Sequence, residues 1–143
     1  MNEDAIIVHT DGGSRGNPGP AACAFVITYR DKEITRQSKY LGERTNNFAE
    51  YQGVILALQY ILENRDNWAK GKKIFFLLDS ELIVRQINGV YKVKDEKLKT
   101  LHGQVKDLVA KIHDNVFFRN VPREKNKYAD MLVNEELDKN LTV

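Results

Sequence analysis

One segment, Val8 to Pro20 with the sequence VHTDGGSRGNPGP, most constrains what this chain can fold into. The apolar run that leads into it predicts a buried strand over Ala5–Thr10, and this strand ends at Asp11. The glycines, asparagine and prolines that follow are typical of a loop. Asp-Gly pairs also occur in ordinary turns, so Asp11 alone does not indicate a functional site. The segment therefore predicts a strand that carries a carboxylate to its end.

A second carboxylate, Asp79, follows another apolar run in the same way. The run Ile74–Leu78 reads IFFLL and predicts a strand buried on both faces. A right-handed crossover would lay this strand parallel to the first one, about 4.8 Å away if the two are neighbours. Asp11 and Asp79 would then emerge side by side and repel each other unless a cation lies between them. Oxygen ligands alone favour a hard ion such as Mg²⁺ or Mn²⁺.

The remaining sequence alternates between strand-like and helix-like patterns and predicts an α/β fold, a mixed sheet with helices on its faces. Asn46 and Asn47 are suited to cap a helix whose first turn carries Glu50, although an acid there also interacts favourably with the helix dipole. Asp130 lies near the start of the final helix. The predicted strands are Ala5–Thr10, Ala21–Tyr29, Glu33–Leu41, Ile74–Leu78 and Val116–Val121; the predicted helices are Phe48–Leu62, Ser80–Asn88, Asp95–Ile112 and one capped by Asn126; and Glu63–Lys73 is predicted to be a polar connection.

Composition limits the class of protein. The 143 residues are 42% apolar, without a low-complexity tract, and predict a single domain over residues 1–143. The first residues are acidic where a signal peptide would be basic, and no apolar run could cross a bilayer, so we expect a cytoplasmic protein without a membrane partner. The single cysteine, Cys23, lies in the apolar run AACAFVI and is typical of a buried small residue. The 22 basic and 20 acidic side chains nearly cancel, so any site for a polyanion must be local.

Four stretches resemble the signature blocks of type 1 ribonuclease H, in the same order and at suitable separations. They read HTDGGSRGNPGPAA, TNNFAEYQGVILAL, FFLLDSELIVRQING and VPREKNKYADMLVNEELD. The resemblance implies the ribonuclease H-like fold, a five-stranded mixed sheet in the order 3-2-1-4-5 with helices on both faces. It also implies four catalytic carboxylates that bind two Mg²⁺ or Mn²⁺ ions, namely Asp11, Glu50, Asp79 and Asp130. Two such ions can carry phosphodiester hydrolysis with little covalent chemistry from the protein.

The same resemblance implies a substrate and the residues that contact it. The expected enzyme is a sequence-independent endoribonuclease that hydrolyses the RNA strand of RNA/DNA hybrids and leaves 5′-phosphate and 3′-hydroxyl ends. Hydrogen bonds to 2′-hydroxyl groups in the minor groove would distinguish RNA from DNA. Thr45 matches a position that binds a phosphate of the DNA strand. The residues expected along the groove are Gly12, Gly13, Ser14, Asn17, Asn46 and Asn47, of which the last two could also be simple helix caps.

The sequence departs from the family pattern in three places. The loop before the final helix reads NVPREKN and lacks the histidine of many relatives, so Arg123 or Glu124 is a candidate for proton transfer or product release. Glu81 replaces a frequent glutamine, and an acid is unfavourable near a polyanion. The segment Gly89–Lys97 is too short for the basic helix that some relatives use to hold the hybrid. A smaller cationic edge could come from Lys92, Lys94, Lys97 and Lys99, which are equally typical of solubility charges.

Two other functions compete with this one. A junction resolvase or transposase core belongs to the same superfamily, but the TNNFAE block and the absence of flanking domains argue against it. A hybrid-binding module without catalysis is the alternative from another class. Four acids argue against a module of that kind, since binding alone would gain from removing negative charge near phosphates. We therefore expect a ribonuclease H that acts as a monomer.

Overall fold

The computed structural model describes residues 4–68, 71–112 and 115–141, apart from the side chains of residues 67 and 68. The described residues form five strands, four α-helices and one short 3-10 helix. The strands are β1 (Ile6–Ser14), β2 (Gly19–Tyr29), β3 (Lys32–Arg44), β4 (Ile74–Leu78) and β5 (Val116–Asn120). The helices are α1 (Asn46–Trp68), α2 (Glu81–Ile87), α3 (Glu96–Ile112) and α4 (Lys127–Lys139), with the 3-10 helix at Arg123–Lys125.

The strands form one sheet in the order β3-β2-β1-β4-β5. Strands β1, β2 and β3 pair antiparallel, whereas β4 pairs parallel with both β1 and β5. The predicted α/β class, strand order and strand directions are therefore confirmed. Among the described helices, none combines the length and apolar character needed to cross a bilayer.

Each face of the sheet is covered by helices. The larger core lies between the sheet and helices α1 and α3, and it contains fully buried Phe25, Tyr51 and Phe76. On the opposite face, α4 buries Leu132, Val133 and Leu137 against small residues of β2. Alanines at positions 22 and 24 allow α4 to approach the sheet closely, because they have almost no side chain to displace.

Strand β1 is longer than the sequence predicts. It continues past Asp11 to Ser14, which pairs with Ala21 of β2, so the loop begins only at Arg15. The glycines in this part of β1 tolerate the extended conformation because pairing with β2 satisfies the backbone. The parallel pairing with β4 ends earlier, at His9 opposite Leu77. Beyond that point the sheet opens on one side of β1, directly at Asp11.

Both predicted boundaries of α1 are wrong, since the helix spans Asn46–Trp68. The polar segment after Leu62 is not a connection, because α1 continues to Trp68 and Arg65 donates a hydrogen bond to the carbonyl of Ile112 at the end of α3. The side chain that caps α1 is Thr45, whose hydroxyl accepts from the backbone N–H of Phe48 at 3.2 Å, rather than Asn46 or Asn47. Asn126 occupies the N-cap position of α4 as predicted, but its side chain makes no capping hydrogen bond. Local cap preferences could not reveal the tertiary partners of Asn46 and Asn126.

Candidate active site

Three carboxylates from different elements meet where β1 and β4 separate. Asp11 lies on β1 two residues after the last parallel pair, Asp79 directly follows β4, and Glu50 lies near the N-terminus of α1. One carboxylate oxygen from each of the three lies within 4.8 Å of the others. The predicted approach of Asp11 and Asp79 is confirmed, and Glu50 joins them.

Two glycines make this approach possible. A Cβ atom added to Gly12 would lie 2.2 Å from both the carbonyl carbon and oxygen of Ala49 on α1. A Cβ atom on Gly53, one turn further along α1, would lie 2.8 Å from the carbonyl oxygen of Asp11. Real Cβ atoms do not approach backbone atoms so closely, so β1 and α1 can make this contact only with glycine at both positions. The contact sets the distance between Asp11 and Glu50.

The fourth predicted acid, Asp130, lies in the first turn of α4 and lines the same cleft as the other three. It is not part of the cluster within 4.8 Å, although it is close enough to Asp11 to raise the pKa of that carboxyl. Asn126 fixes the start of α4, because its buried Nδ2 donates to the carbonyl of Thr10 at 2.8 Å. This hydrogen bond ties α4 to β1 immediately before Asp11.

Burial and mutual repulsion raise the pKa of the clustered acids. Burial, followed by repulsion from Asp79, raises the pKa of Asp11 to about 7. Burial and the nearby Asp11 and Asp79 charges raise the pKa of Glu50 well above its usual value. Burial also raises the pKa of Asp79, while the Arg123 guanidinium opposes the shift. A bound proton therefore reduces the repulsion between the clustered carboxylates, as a bound cation would.

The donor set fits a divalent cation. The Oε2 atom of Glu50 is buried and has no hydrogen-bond partner among the described residues, so this acceptor is unused. Carboxylate oxygens are the ligands that Mg²⁺ and Mn²⁺ prefer. A bound cation would satisfy that oxygen and reverse the repulsion that raises the pKa values of the acids. Asp11, Glu50 and Asp79 are thus the residues that could hold a metal ion.

The raised pKa of Asp11 predicts how the metal-free protein responds to pH. Because the folded pKa is about 7 and the unfolded value is about 3.9, folded Asp11 binds more protons than the unfolded chain between these pH values. The stability of the wild-type protein should therefore fall as pH rises through this range. Asp11→Asn removes the titrating group and should raise the melting temperature of the metal-free protein at pH 8, with little effect at pH 4.

Thermal unfolding in EDTA at pH 4 and pH 8 checks this expectation. Asp107→Asn is the matched control, since Asp107 is exposed on α3 and should leave the pH dependence unchanged. Adding Mg²⁺ at pH 8 should stabilise the wild type more than Asp11→Asn. Equal melting temperatures of wild type and Asp11→Asn at pH 8 would show that Asp11 is not held in a repulsive cluster.

Most of the residues predicted to contact substrate lie next to the acids. Gly13, Ser14, Asn46 and Asn47 line a cleft of ≈ 430 Å³ together with the four carboxylates. The Asn46 side-chain oxygen accepts from the Ser14 backbone N–H at 2.8 Å and from the Ser14 hydroxyl at 3.1 Å. Asn46 therefore joins β1 to α1 rather than capping the helix. Gly12 is buried, and the close contact between β1 and α1 requires a residue without a Cβ atom at this position.

Asn17 and Thr45 lie beside this cleft. The Asn17 side-chain oxygen accepts from the Asn46 backbone N–H at 3.0 Å, which holds the β1–β2 loop against the start of α1. Thr45 lines an adjoining depression of ≈ 500 Å³ with two cationic side chains, Arg44 and Lys97. Of the other predicted lysines, Lys99 forms an ion pair with Glu96 on its own helix at 3.2 Å.

The two loop candidates are in different positions. Arg123 lines the cleft and lowers the pKa of both Glu50 and Asp79, whereas Glu124 is exposed and does not line it. Glu81 forms an ion pair with Arg85 at 3.1 Å. Sequence reasoning did not identify three other polar cleft residues, Arg15, Ser80 and Asn134. Asn134 could have been found from its position one helical turn after Asp130, because residues four apart share a helix face.

Comparison with known proteins identifies the family of this chain. A family model described as reverse transcriptase-like matches residues 9–136. The structure of LC11-RNase H1, isolated from compost by a metagenomic approach, superposes with a TM-score of 0.91 at 44% sequence identity and covers 97% of this chain and 99% of that one. The chain belongs to the type 1 ribonuclease H family. A second structure of LC11-RNase H1, in complex with an RNA/DNA hybrid, matches with a TM-score of 0.89.

Two other relatives match at lower sequence identity. Ribonuclease HI of Halobacterium salinarum is 35% identical over 136 residues, which is 93% of this chain and 64% of that protein. A bifunctional protein of Mycobacterium tuberculosis is 35% identical over 135 residues. This chain covers 35% of the mycobacterial protein, so it spans about a third of the length of the first curated relatives that it matches.

Proposed function

We propose that this chain is a ribonuclease H, an endonuclease that hydrolyses the RNA strand of RNA/DNA hybrids. The observation that carries the proposal is the cluster of Asp11, Glu50 and Asp79, whose oxygens lie within 4.8 Å of one another beside a cleft. The hybrid bound to LC11-RNase H1, which is 44% identical, supports the substrate class.

We propose that Asp11, Glu50, Asp79 and Asp130 hold two divalent ions, Mg²⁺ or Mn²⁺. When bound, such ions supply a water nucleophile at neutral pH and stabilise the charge that develops on the attacking and leaving oxygens. The protein contributes the positions of its carboxylates, which Gly12, Gly53 and Asn126 fix through backbone contacts. Cleavage would leave 5′-phosphate and 3′-hydroxyl ends.

The chain's own polar groups would orient the RNA strand. Ser14 and Asn46 lie in the cleft with hydroxyl and amide groups suited to 2′-hydroxyl recognition. The Asn46 oxygen is already engaged by Ser14, so its Nδ2 amide is the group left to donate to the RNA. Arg123 lies close enough to lower the pKa of Asp79 and would favour a phosphate there. The depression lined by Arg44, Thr45 and Lys97 would receive a phosphate of the DNA strand.

The proposal predicts selective cleavage of one duplex type. Incubation with Mg²⁺ or Mn²⁺ should cut end-labelled RNA in an RNA/DNA hybrid, while DNA duplex, single-stranded RNA and a four-way DNA junction should remain intact. The new 3′ ends should be extended by a polymerase, and the new 5′ ends should be degraded by a 5′-phosphate-dependent exonuclease. Cleavage of the junction at a similar rate would instead indicate a resolvase, and hybrid binding without cleavage would indicate a binding module.

A further inference from the structure

One cation in the cleft has no role in the site described above. Arg15 is the first residue after β1, and its side chain lines the cleft with 38% of its surface exposed. Its Nη2 atom lies 2.7 Å from Oδ1 of Asp138 and 3.4 Å from two oxygens of Asn134, the backbone carbonyl and Oδ1. All these partners belong to α4, the helix that carries Asp130.

The two partners of Arg15 lie in a row with Asp130 along one face of α4. Asp130, Asn134 and Asp138 are spaced by four residues, so they follow one another on the helix surface. The Asn134 amide donates to the Asp130 carbonyl at 3.1 Å. Asp138 lies about 12 Å along the helix from Asp130, since α-helices rise 1.5 Å per residue. Because Arg15 contacts both Asn134 and Asp138, it lies beside α4 one to two helical turns from Asp130.

The charge of Arg15 is available to a ligand. The side chain of Arg15 is 38% exposed where it lines the cleft. Its ionic partner Asp138 is 63% exposed, and exposed ion pairs contribute little because water screens them. A phosphate can replace such a carboxylate readily, since the guanidinium binds both in the same two-pronged geometry.

We propose that Arg15 binds a non-scissile phosphate of the RNA strand and that Asp138 holds the guanidinium in place until the hybrid arrives. This inference rests on the proposed ribonuclease H function. Arg15 lies beside Ser14 and Asn46 in the cleft. It would therefore contact the same RNA strand whose 2′-hydroxyl groups those two residues would contact. Because its partners Asn134 and Asp138 lie one and two helical turns after Asp130, the phosphate would not be the one that is cut. Asp138 then opposes binding, because it is an acid near a polyanion.

The test is the affinity for an uncut hybrid as a function of salt. All variants carry Asp79→Asn so that the hybrid stays intact, and binding is measured by fluorescence anisotropy at several KCl concentrations with Mg²⁺ present. Arg15→Gln should weaken binding about tenfold and reduce the slope of log affinity against log salt by about one, as the loss of one phosphate contact does. Asp138→Asn should strengthen binding severalfold and leave that slope unreduced.

The opposite signs of these two effects separate the proposal from a structural role. If Arg15 only fastens the β1–β2 loop to α4, Arg15→Gln and Asp138→Asn will weaken binding together and leave the salt slope unchanged, which would overturn the proposal. Arg15→Lys should retain the slope while losing part of the affinity, since lysine keeps the charge but not the planar geometry. Failure of the parent variant to bind the hybrid at all, with no cleavage by wild type, would contradict the proposed function itself.

Discussion

Replacing Asp79 by asparagine is expected to lower the rate of hybrid cleavage by about 100-fold or more. Asp79 supplies one of three oxygens in the cluster with Asp11 and Glu50, and asparagine keeps its size while removing the charge that binds a cation. The loss of a single electrostatic group from an active site typically costs 10²–10³ in turnover, on the order of 3 kcal/mol. Single-turnover cleavage of a labelled hybrid with excess enzyme measures the effect.

Asp107→Asn makes the same chemical change at an exposed position of α3, away from the cleft, and should cleave at the wild-type rate. Isothermal titration with Mg²⁺ in the presence of hybrid should show weaker metal binding by Asp79→Asn than by this control. A wild-type cleavage rate for Asp79→Asn would mean that the cluster does not carry catalysis. A residual rate restored by Mn²⁺ would agree with a weakened metal site, since Mn²⁺ binds oxygen and nitrogen ligands more tightly than Mg²⁺ does.

Gly12→Ala is expected to cause a large loss of stability. The new Cβ would lie 2.2 Å from the backbone of Ala49, and backbone atoms cannot move aside as a flexible side chain can. Overpacking of this kind costs about 3 kcal/mol or more. For a chain of this length the melting temperature should fall by about 10 °C, which differential scanning calorimetry would detect.

Gly103→Ala is the matched control for the same methyl addition. Gly103 is exposed within α3, and nothing lies within 4 Å of a Cβ atom built there. Because alanine favours helix over glycine by about 1 kcal/mol, this variant should be slightly more stable than wild type. A Gly12→Ala protein as stable as Gly103→Ala would show that β1 and α1 are not in backbone contact.

The sheet was predictable from sequence because its signals are local. Apolar runs such as Ile74–Leu78 fix which segments are buried strands, and the handedness of crossovers restricts how they can be ordered. The same reasoning located Asp11 and Asp79 at a common edge, since each acid directly ends an apolar pattern. Four family blocks then added Glu50 and Asp130, whose positions on helices carry no comparable local signal.

The errors concern residues whose partners are distant along the chain. Asn126 does occupy the N-cap position of α4, but its side chain bonds the carbonyl of Thr10. The side chain of Asn46 bonds Ser14 instead of capping α1. Gly12 is a residue type typical of turns, but it lies inside β1 and allows the close contact with Ala49. A short polar residue or a glycine is compatible with several local structures, such as a cap, a turn or a strand. Tertiary contacts decide which of these structures forms. The role of Arg15 was missed for the same reason, since its partner Asp138 is far away in sequence.

The packing of α4 has a consequence for any shortened form of this protein. The helix that presents Asp130 and Asn134 to the cleft is also the cover of the alanine-rich face of β2. Proteolysis or a premature stop codon before Lys127 would therefore remove one wall of the cleft and expose an apolar surface of the sheet to water at the same time. Such a fragment would aggregate rather than persist as a partially active nuclease, because exposed apolar sheet surface promotes self-association.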